Sequence, residues 1–353
     1  MAAKRKADDQ AAMHFSPASS AGSSSSLCNC ARLAAQAGTS VLMPWIGVGT
    51  YKMANAQEAV GAALQIGYRH VETAFIYSGE KTETEVGKAL ATALEGGLRR
   101  DEVFVTTKHW RAYHGFEPAL ACLQKSLRRL QLSHVDLWLM HWPGPAYTTM
   151  NRRKDLMEEH GPWHYAATSE AEMPAVRAAT WRAMEHALGA GQVRAIGVSN
   201  FSIRHLETLK RTATVWPPAV NQVEMHPLYP QKELLEYCRG EGIVVQAYAS
   251  LGGQDASKKT LAALGGPLLT SPPVVAAAAD HDVSAAQVLL RWALQKGAAV
   301  IPKASSQRRL LDNARLFHFH LTDAEVLAID ELDRGDAGRL CWRNDPLRML
   351  DWE

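Results

Sequence analysis

The chain has 353 residues, of which 47% are hydrophobic and 21% charged, with a formal net charge of +2 at pH 7. That balance excludes a nucleic-acid-binding stripe or an acidic tail, and the one basic cluster, Lys4-Arg5-Lys6, is offset by Asp8 and Asp9. No run of about 18 apolar residues occurs, so no membrane span is expected.

Residues 1–38, rich in Ser and Ala, read as a disordered tail with little to bury, and residues 39–353 as a single domain. Asp8 and Asp9 argue against a transit peptide, and no secretory hydrophobic region precedes the domain. A cytoplasmic protein is expected, with organelle targeting as the lesser alternative. Five scattered cysteines, Cys28, Cys30, Cys122, Cys238 and Cys341, suit reduced thiols. The Cys28-x-Cys30 pair has no second pair near it, and zinc needs four ligands, so no metal is expected.

From Val41 the predicted strands follow in order: 45–49, 69–73, 103–107, 135–140, 194–199, 219–225, 243–248 and 298–302. They are Val- and Ile-rich and near-continuous rather than alternating, as strands buried on both faces should be. Helical patterns lie between them: "AQEAVGAALQIG" closing on Gly67, "EKTETEVGKALATALEGG", "EPALACLQKSLRRLQL", "KELLEYCRGEG", "SAAQVLLRWALQKG" and "QRRLLDNARLF". Eight strand-then-helix units predict an α/β fold, a (β/α)8 TIM barrel. Residues 143–175, 249–273 and 334–353 break the alternation. They are read as three long loops at the C-terminal face, where barrels place specificity; tolerated surface insertion is the plainer reading.

In such a barrel the strand C-termini share one mouth. Those positions carry Glu72 and Tyr77, Lys108, His141, Ser199-Asn200, Gln222, Tyr248 and Lys303. Each alone has a dull explanation: a lysine after a strand is usually solvated, and a histidine before Trp142-Pro143 usually a satisfied loop residue. Together on one rim they suggest chemistry. A phenol is a weak acid, and an adjacent ammonium pulls its pKa down. Lys108 can supply that charge, Glu72 can anchor the lysine, and His141 can donate to an oxygen gaining negative charge. The set suits protonation of a developing alkoxide, but none of these groups carries a hydride; a nicotinamide would.

With these residues in place, the chain resembles the aldo-keto reductases from about Leu42 to Leu332. The resemblance rests on "MPWIGVGTYK" (43–52), "GYRHVETAFIYSGEKTETEVGKAL" (67–90), "VFVTTKHW" (103–110), "VDLWLMHWP" (135–143), "VRAIGVSNF" (193–201), "VNQVEMHP" (220–227), "IVVQAYASLG" (243–252) and "VIPKASSQRRLLDNARLF" (300–317). It implies a barrel closed at the bottom by an N-terminal hairpin around 39–44, with NADPH (NADP+) bound extended across the mouth and no Rossmann fold. It implies reduction of an aldehyde, aldose or ketone to the alcohol, in a protein expected to be a monomer with a small-molecule carbonyl as partner.

Carried over by position, Tyr77 is similar to the proton donor, Lys108 to the lysine that lowers its pKa, and His141 to the residue that orients the carbonyl. Glu72 stands where the family usually has Asp. Ser199, Asn200 and Gln222 resemble the carboxamide-holding residues and Tyr248 the ring stacked on the nicotinamide. Lys303 and Arg309 fall where the family grips the 2′-phosphate and Asn313 where it meets adenine; Thr50, Leu251 and Ser306 join the cofactor set. Asp255 sits where some members close a loop over the pyrophosphate, where it could bridge Lys52 and Lys303. Tyr51, Trp110, His141 and Trp142, with Trp342 as a further candidate, would line an aromatic pocket for substrate.

Milder departures are Ala249-Ser250 where Ser-Pro is frequent and Ala304 where Ser is. The spacing Tyr77-x-x-x-Lys81 also matches short-chain dehydrogenases, but "GVGTYK" lacks their third Gly. "HFH" (318–320) and "HGPWH" (160–164) make poor metal pairs, the first for its place at the chain's end, the second for its Gly and Pro. A rival of another class is an NADPH-binding regulatory or sensor barrel with weak or no turnover, which the Glu72 change keeps open.

Overall fold

The structure is a computed structural model that describes residues 29–34, 36, 38, 41–79, 81–145, 172–253 and 257–341. A short hairpin comes first: β1 (Cys30–Arg32) pairs antiparallel with β2 (Leu42–Pro44). Its first strand lies inside the stretch read from the sequence as tail. The physical reason is local: Ala31, Leu33 and Met43 are buried, and the Gln36 amide bonds both the N–H (2.8 Å) and the carbonyl (3.0 Å) of Ile196. Four anchoring residues are easily hidden by the Ser-rich composition around them.

Eight parallel strands follow in chain order: β3 (Val48–Gly49), β4 (His70–Glu72), β5 (Phe104–His109), β6 (Val135–Met140), β7 (Val193–Ser199), β8 (Val220–Glu224), β9 (Val244–Tyr248) and β10 (Ala298–Val300). The first and last meet. Ile46 bridges Val300 in parallel, Gly47 N–H donates to the Val300 carbonyl at 2.9 Å, and Val300 N–H to that of Trp45 at 2.8 Å. The sheet therefore closes and leaves no edge. The hairpin covers the N-terminal end of the strands, where the Pro44 carbonyl meets His70 Nδ1 at 3.2 Å.

Gly49 shows how tight the closure is: a Cβ there would lie 2.5 Å from the Ile301 carbonyl oxygen. Around the barrel run α1 (Ala56–Ile66), α2 (Lys81–Glu95), α3 (Phe116–Leu130), α4 (Met173–Gly189), α5 (Ile203–Lys210) and α6 (Lys232–Glu241). Next are α7 (Lys258–Ala263), α8 (Pro272–Asp280), α9 (Ala285–Gln295), α10 (Gln307–Ala314) and α11 (Asp323–Asp330). In α3, Ala119, Cys122, Leu123, Ser126, Leu127 and Leu130 are buried, the i, i+3, i+4, i+7 stripe of a helix lying on a sheet. α1 stops at Gly67, whose φ of 114° only glycine adopts without strain.

The expected loop at 143–175 ends inside α4, which opens on Met173-Pro174, and that at 249–273 holds α7 and a 3-10 turn. Trp138, Trp181 and Trp292 are among the largest fully buried side chains. Truncating any of them to Ala would cost about 3–5 kcal/mol. Among the described residues no helix is long and apolar enough to cross a membrane. Asp255, Trp342, Cys28 and the "HGPWH" stretch lie outside the described residues.

Candidate active site

Parallel register decides what the mouth holds. Glu72, the last residue of β4, pairs with Thr106 of β5, so Lys108 lies two residues further along β5, on the same face. The chain after β4 then turns back, with Phe75 N–H on the Lys108 carbonyl at 3.1 Å, and Ser78 takes a positive φ of 49°. This turn returns Tyr77 over the strand ends.

The result is a compact charged contact. The Lys108 ammonium lies against Glu72 Oε1, donates to the Tyr77 hydroxyl at 2.7 Å and to the Thr73 carbonyl at 3.1 Å. The Tyr77 hydroxyl in turn donates to Glu72 Oε1 at 3.3 Å. Lys108 and Glu72 are fully buried and Tyr77 is 9% exposed, the most exposed residue of the three. His141 follows β6 directly; its ring sits edge-on to Tyr77 (centroids 6.1 Å) and Trp110 (5.8 Å), and among the described residues its buried Nδ1 has no hydrogen-bond partner. Tyr51 packs against Tyr77 at 5.1 Å. Trp110 and Trp142 are buried in a separate apolar cluster with Phe75 and Tyr113.

Burial sets the protonation states. It pushes the Tyr77 phenol above its ordinary value, with Tyr51 and Tyr248 adding to the rise, and pushes Lys108 well below its own. The downward pull expected of Lys108 on Tyr77 is thus outweighed, and the phenol keeps its proton at neutral pH. His141 is held neutral, first by burial and then by Lys108, His109 and Arg111.

From His141 to Gln246 the rim is one hydrogen-bonded chain. Asn200, at a φ of 64° that Asn tolerates, donates from Nδ2 to the His141 carbonyl at 2.9 Å and accepts from the Tyr248 hydroxyl at 2.8 Å. Ser199 donates to the Gln222 carbonyl at 2.8 Å, and Gln222 to Gln246 Oε1 at 2.7 Å. Thr50 bonds the Glu72 carbonyl at 3.0 Å. Leu251 lies in the turn after β9.

Lys303 follows β10, Ser306 caps α10 and accepts from Arg309 N–H, and Asn313 is buried near the end of α10. Among the described residues neither Lys303 nor Arg309 has a carboxylate partner. Sequence reasoning passed over Thr73, Gln246 and Glu224. Glu224 stands two residues beyond Gln222 in the same quoted stretch, on the same face by the strand period, and that spacing was the available signal.

The closed (β/α)8 barrel thus gathers a phenol, an ammonium, a carboxylate and an imidazole at its strand C-termini, the face where enzymes of the barrel class carry their active sites. Residues 38–334 match the model of the Aldo/keto reductase family. The chain is 39% identical over 299 residues to a glyoxal reductase of Bacillus subtilis, covering 84% of this chain and 91% of that one. It is 37% identical over 310 residues to a glycerol 2-dehydrogenase (NADP(+)) of Saccharomyces cerevisiae, covering 84% and 90%. A Bombyx mori aldo-keto reductase solved in complex with NADP superposes with a TM-score of 0.73 at 30% identity, over 90% of this chain and 97% of that one. The chain belongs to the aldo/keto reductase family.

Proposed function

We propose that this protein reduces the carbonyl of an aldehyde, aldose or ketone to the alcohol with NADPH, Tyr77 giving the proton. The observation that carries the reading is the Tyr77 hydroxyl held between Lys108 and Glu72 at the mouth, with the neutral His141 ring beside it. The glyoxal reductase and NADP(+)-dependent relatives support it.

The residues present fit the cofactor. Ser199, Asn200 and Gln222 offer the donors and acceptors a carboxamide needs, Tyr248 offers a flat face, and Lys303 with Arg309 offers cations without carboxylate partners beside the capped start of α10. NADPH, when bound, supplies the hydride. His141, neutral, hydrogen-bonds the carbonyl oxygen and orients it. Tyr77 holds a proton at its hydroxyl for the alkoxide, and Lys108 steadies the phenolate left behind. A panel of aldehydes, aldoses and ketones with NADPH and NADH, followed by absorbance, tests this; no NADPH oxidation with any of them would count against it.

Replacing Lys303 or Arg309 with Ala should weaken NADPH binding by roughly ten- to a hundredfold and leave NADH binding little changed. Fluorescence titration checks this, and equal losses for both cofactors would refute the phosphate role.

One observation favours the sensor reading as a second possibility. The Tyr77 hydroxyl lies within hydrogen-bond reach of Glu72 Oε1, at 3.3 Å, an acceptor that competes for its proton. An Asp is one methylene shorter, so it would withdraw from Tyr77 while still reaching Lys108. Glu72→Asp should therefore leave kcat unchanged or raise it, by up to about tenfold. A large fall in kcat would show that the longer side chain is needed. Stopped-flow mixing with an aryl aldehyde separates the two functions: NADPH bound but not oxidised would favour the sensor.

A further inference from the structure

Glu224 closes β8 and pairs in register with Tyr248 of β9, the ring assigned above to the nicotinamide. It is 3% exposed. Among the described residues its carboxylate has no lysine or arginine as ion-pair partner. Oε1 accepts from Leu340 N–H at 2.7 Å, from Cys341 N–H at 3.0 Å, and meets His226 Nε2 at 2.9 Å; Oε2 accepts from Cys341 N–H at 3.1 Å. With a carboxylate as acceptor, Nε2 of His226 carries the proton. Three N–H donors thus converge on one side chain more than a hundred residues away from two of them.

Among the described residues the segment around these amides pairs with no strand. Among the described residues it is held by close packing as well. A Cβ at Gly338 would collide with the Leu228 carbonyl, and one at Gly253, in the turn after β9, would lie 3.1 Å from Leu340 Cβ. Leu340 is buried against the core. Tyr248 also lies within the electrostatic reach of Glu224, Arg339 and Cys341. Residues 338–341 are therefore docked at the rim of the mouth by charge-assisted hydrogen bonds to a strand-end carboxylate, beside the proposed reacting face.

We propose that Glu224 is a positioning residue for substrate choice: it latches residues 338–341 against the mouth and so sets how much room a large carbonyl finds there. This rests on the reductase reading. Small substrates such as methylglyoxal need little of that wall, whereas aryl aldehydes lie against it. Loss of the latch should move KM for large carbonyls and leave kcat, small substrates and NADPH affinity nearly unchanged.

Glu224→Leu keeps much of the bulk but removes both acceptor oxygens from the N–H donors. Leu340→Pro removes one donor and leaves Glu224 intact, approaching the same contact from the other side. Two readouts are taken on the full chain. The first is the rate at which iodoacetamide labels Cys341, followed by peptide mass spectrometry. The second is KM and kcat for benzaldehyde and for methylglyoxal.

Both variants should label on the order of tenfold faster at Cys341. Both should raise the benzaldehyde-to-methylglyoxal KM ratio by a similar factor, with kcat close to wild type. Unchanged labelling in two folded variants overturns the proposal, as does faster labelling with an unchanged KM ratio. Failure of the wild-type chain to reduce these two or any other carbonyl of the panel instead sinks the reductase reading, while faster labelling in the variants would still establish the latch itself.

Discussion

Tyr77→Phe is expected to lower kcat for carbonyl reduction by about two to four orders of magnitude while NADPH still binds. The substitution deletes one oxygen. The Phe ring keeps the contact with Tyr51 at 5.1 Å and the place over which the Lys108 ammonium sits, 4.5 Å from the ring centroid. Lys108 retains Glu72 and the Thr73 carbonyl as partners, so no buried cation is stranded. A fall in kcat with unchanged cofactor affinity and unchanged thermal midpoint therefore reports the missing proton and little else. Burial keeps the wild-type phenol protonated through the neutral range, so the hydroxyl always has a proton to give at working pH. Activity within about threefold of wild type would remove Tyr77 from the mechanism.

Acid should unfold this protein early. His70 is pushed down to about 4 and His109 to about 3, and His114 and His141 also lie well below their ordinary value, all chiefly through burial. Each stays neutral in the folded chain. Above the unfolded value near 6.5 the folded and unfolded forms bind the same protons, and stability is at its full level. As pH falls below about 6.5 the unfolded chain takes up protons that the folded chain refuses. Stability then drops by on the order of 1.4 kcal/mol per pH unit for each such histidine, until the folded value is reached.

His109 shows the cause in its surroundings. Among the described residues both its buried ring nitrogens lack partners, and the His114 ring lies 4.6 Å away. Glu83, pushed up by burial, works in the opposite direction, as one group against four. Calorimetry between pH 7.5 and 5.0 should show a steep fall in the unfolding midpoint, less steep in His109→Leu. A flat profile down to pH 5 would refute the assignment.

The strands were readable because burial on both faces makes them near-continuous apolar runs. The run 135–140 is β6 to the residue, and 194–199 and 243–248 differ from β7 and β9 by one. Helices were readable where a 3.6-residue stripe ended on glycine, as α1 does at Gly67. β1 was not, because its three residues are held by long-range contacts such as Gln36 to Ile196, which composition does not record.

The family motifs singled out Glu72, Tyr77, Lys108 and His141 one by one, since each stands at the end of a recognisable strand or just after it. Their contact was another matter. The Tyr77 hydroxyl donating to Glu72, and the upward shift of the phenol, follow from how deeply the mouth excludes water and how far one added methylene reaches. Glu224 is the clearest case. Its strand position was visible, but its partners Leu340 and Cys341 come from the other end of the chain.

Sequence alone thus determined the (β/α)8 architecture and the residue types at the mouth, because strand burial and local periodicity are written in consecutive residues. Only the tertiary structure decided which of those groups touch, which protons they keep and what holds the C-terminal segment in place. Distance and desolvation depend on chain segments that meet only after folding.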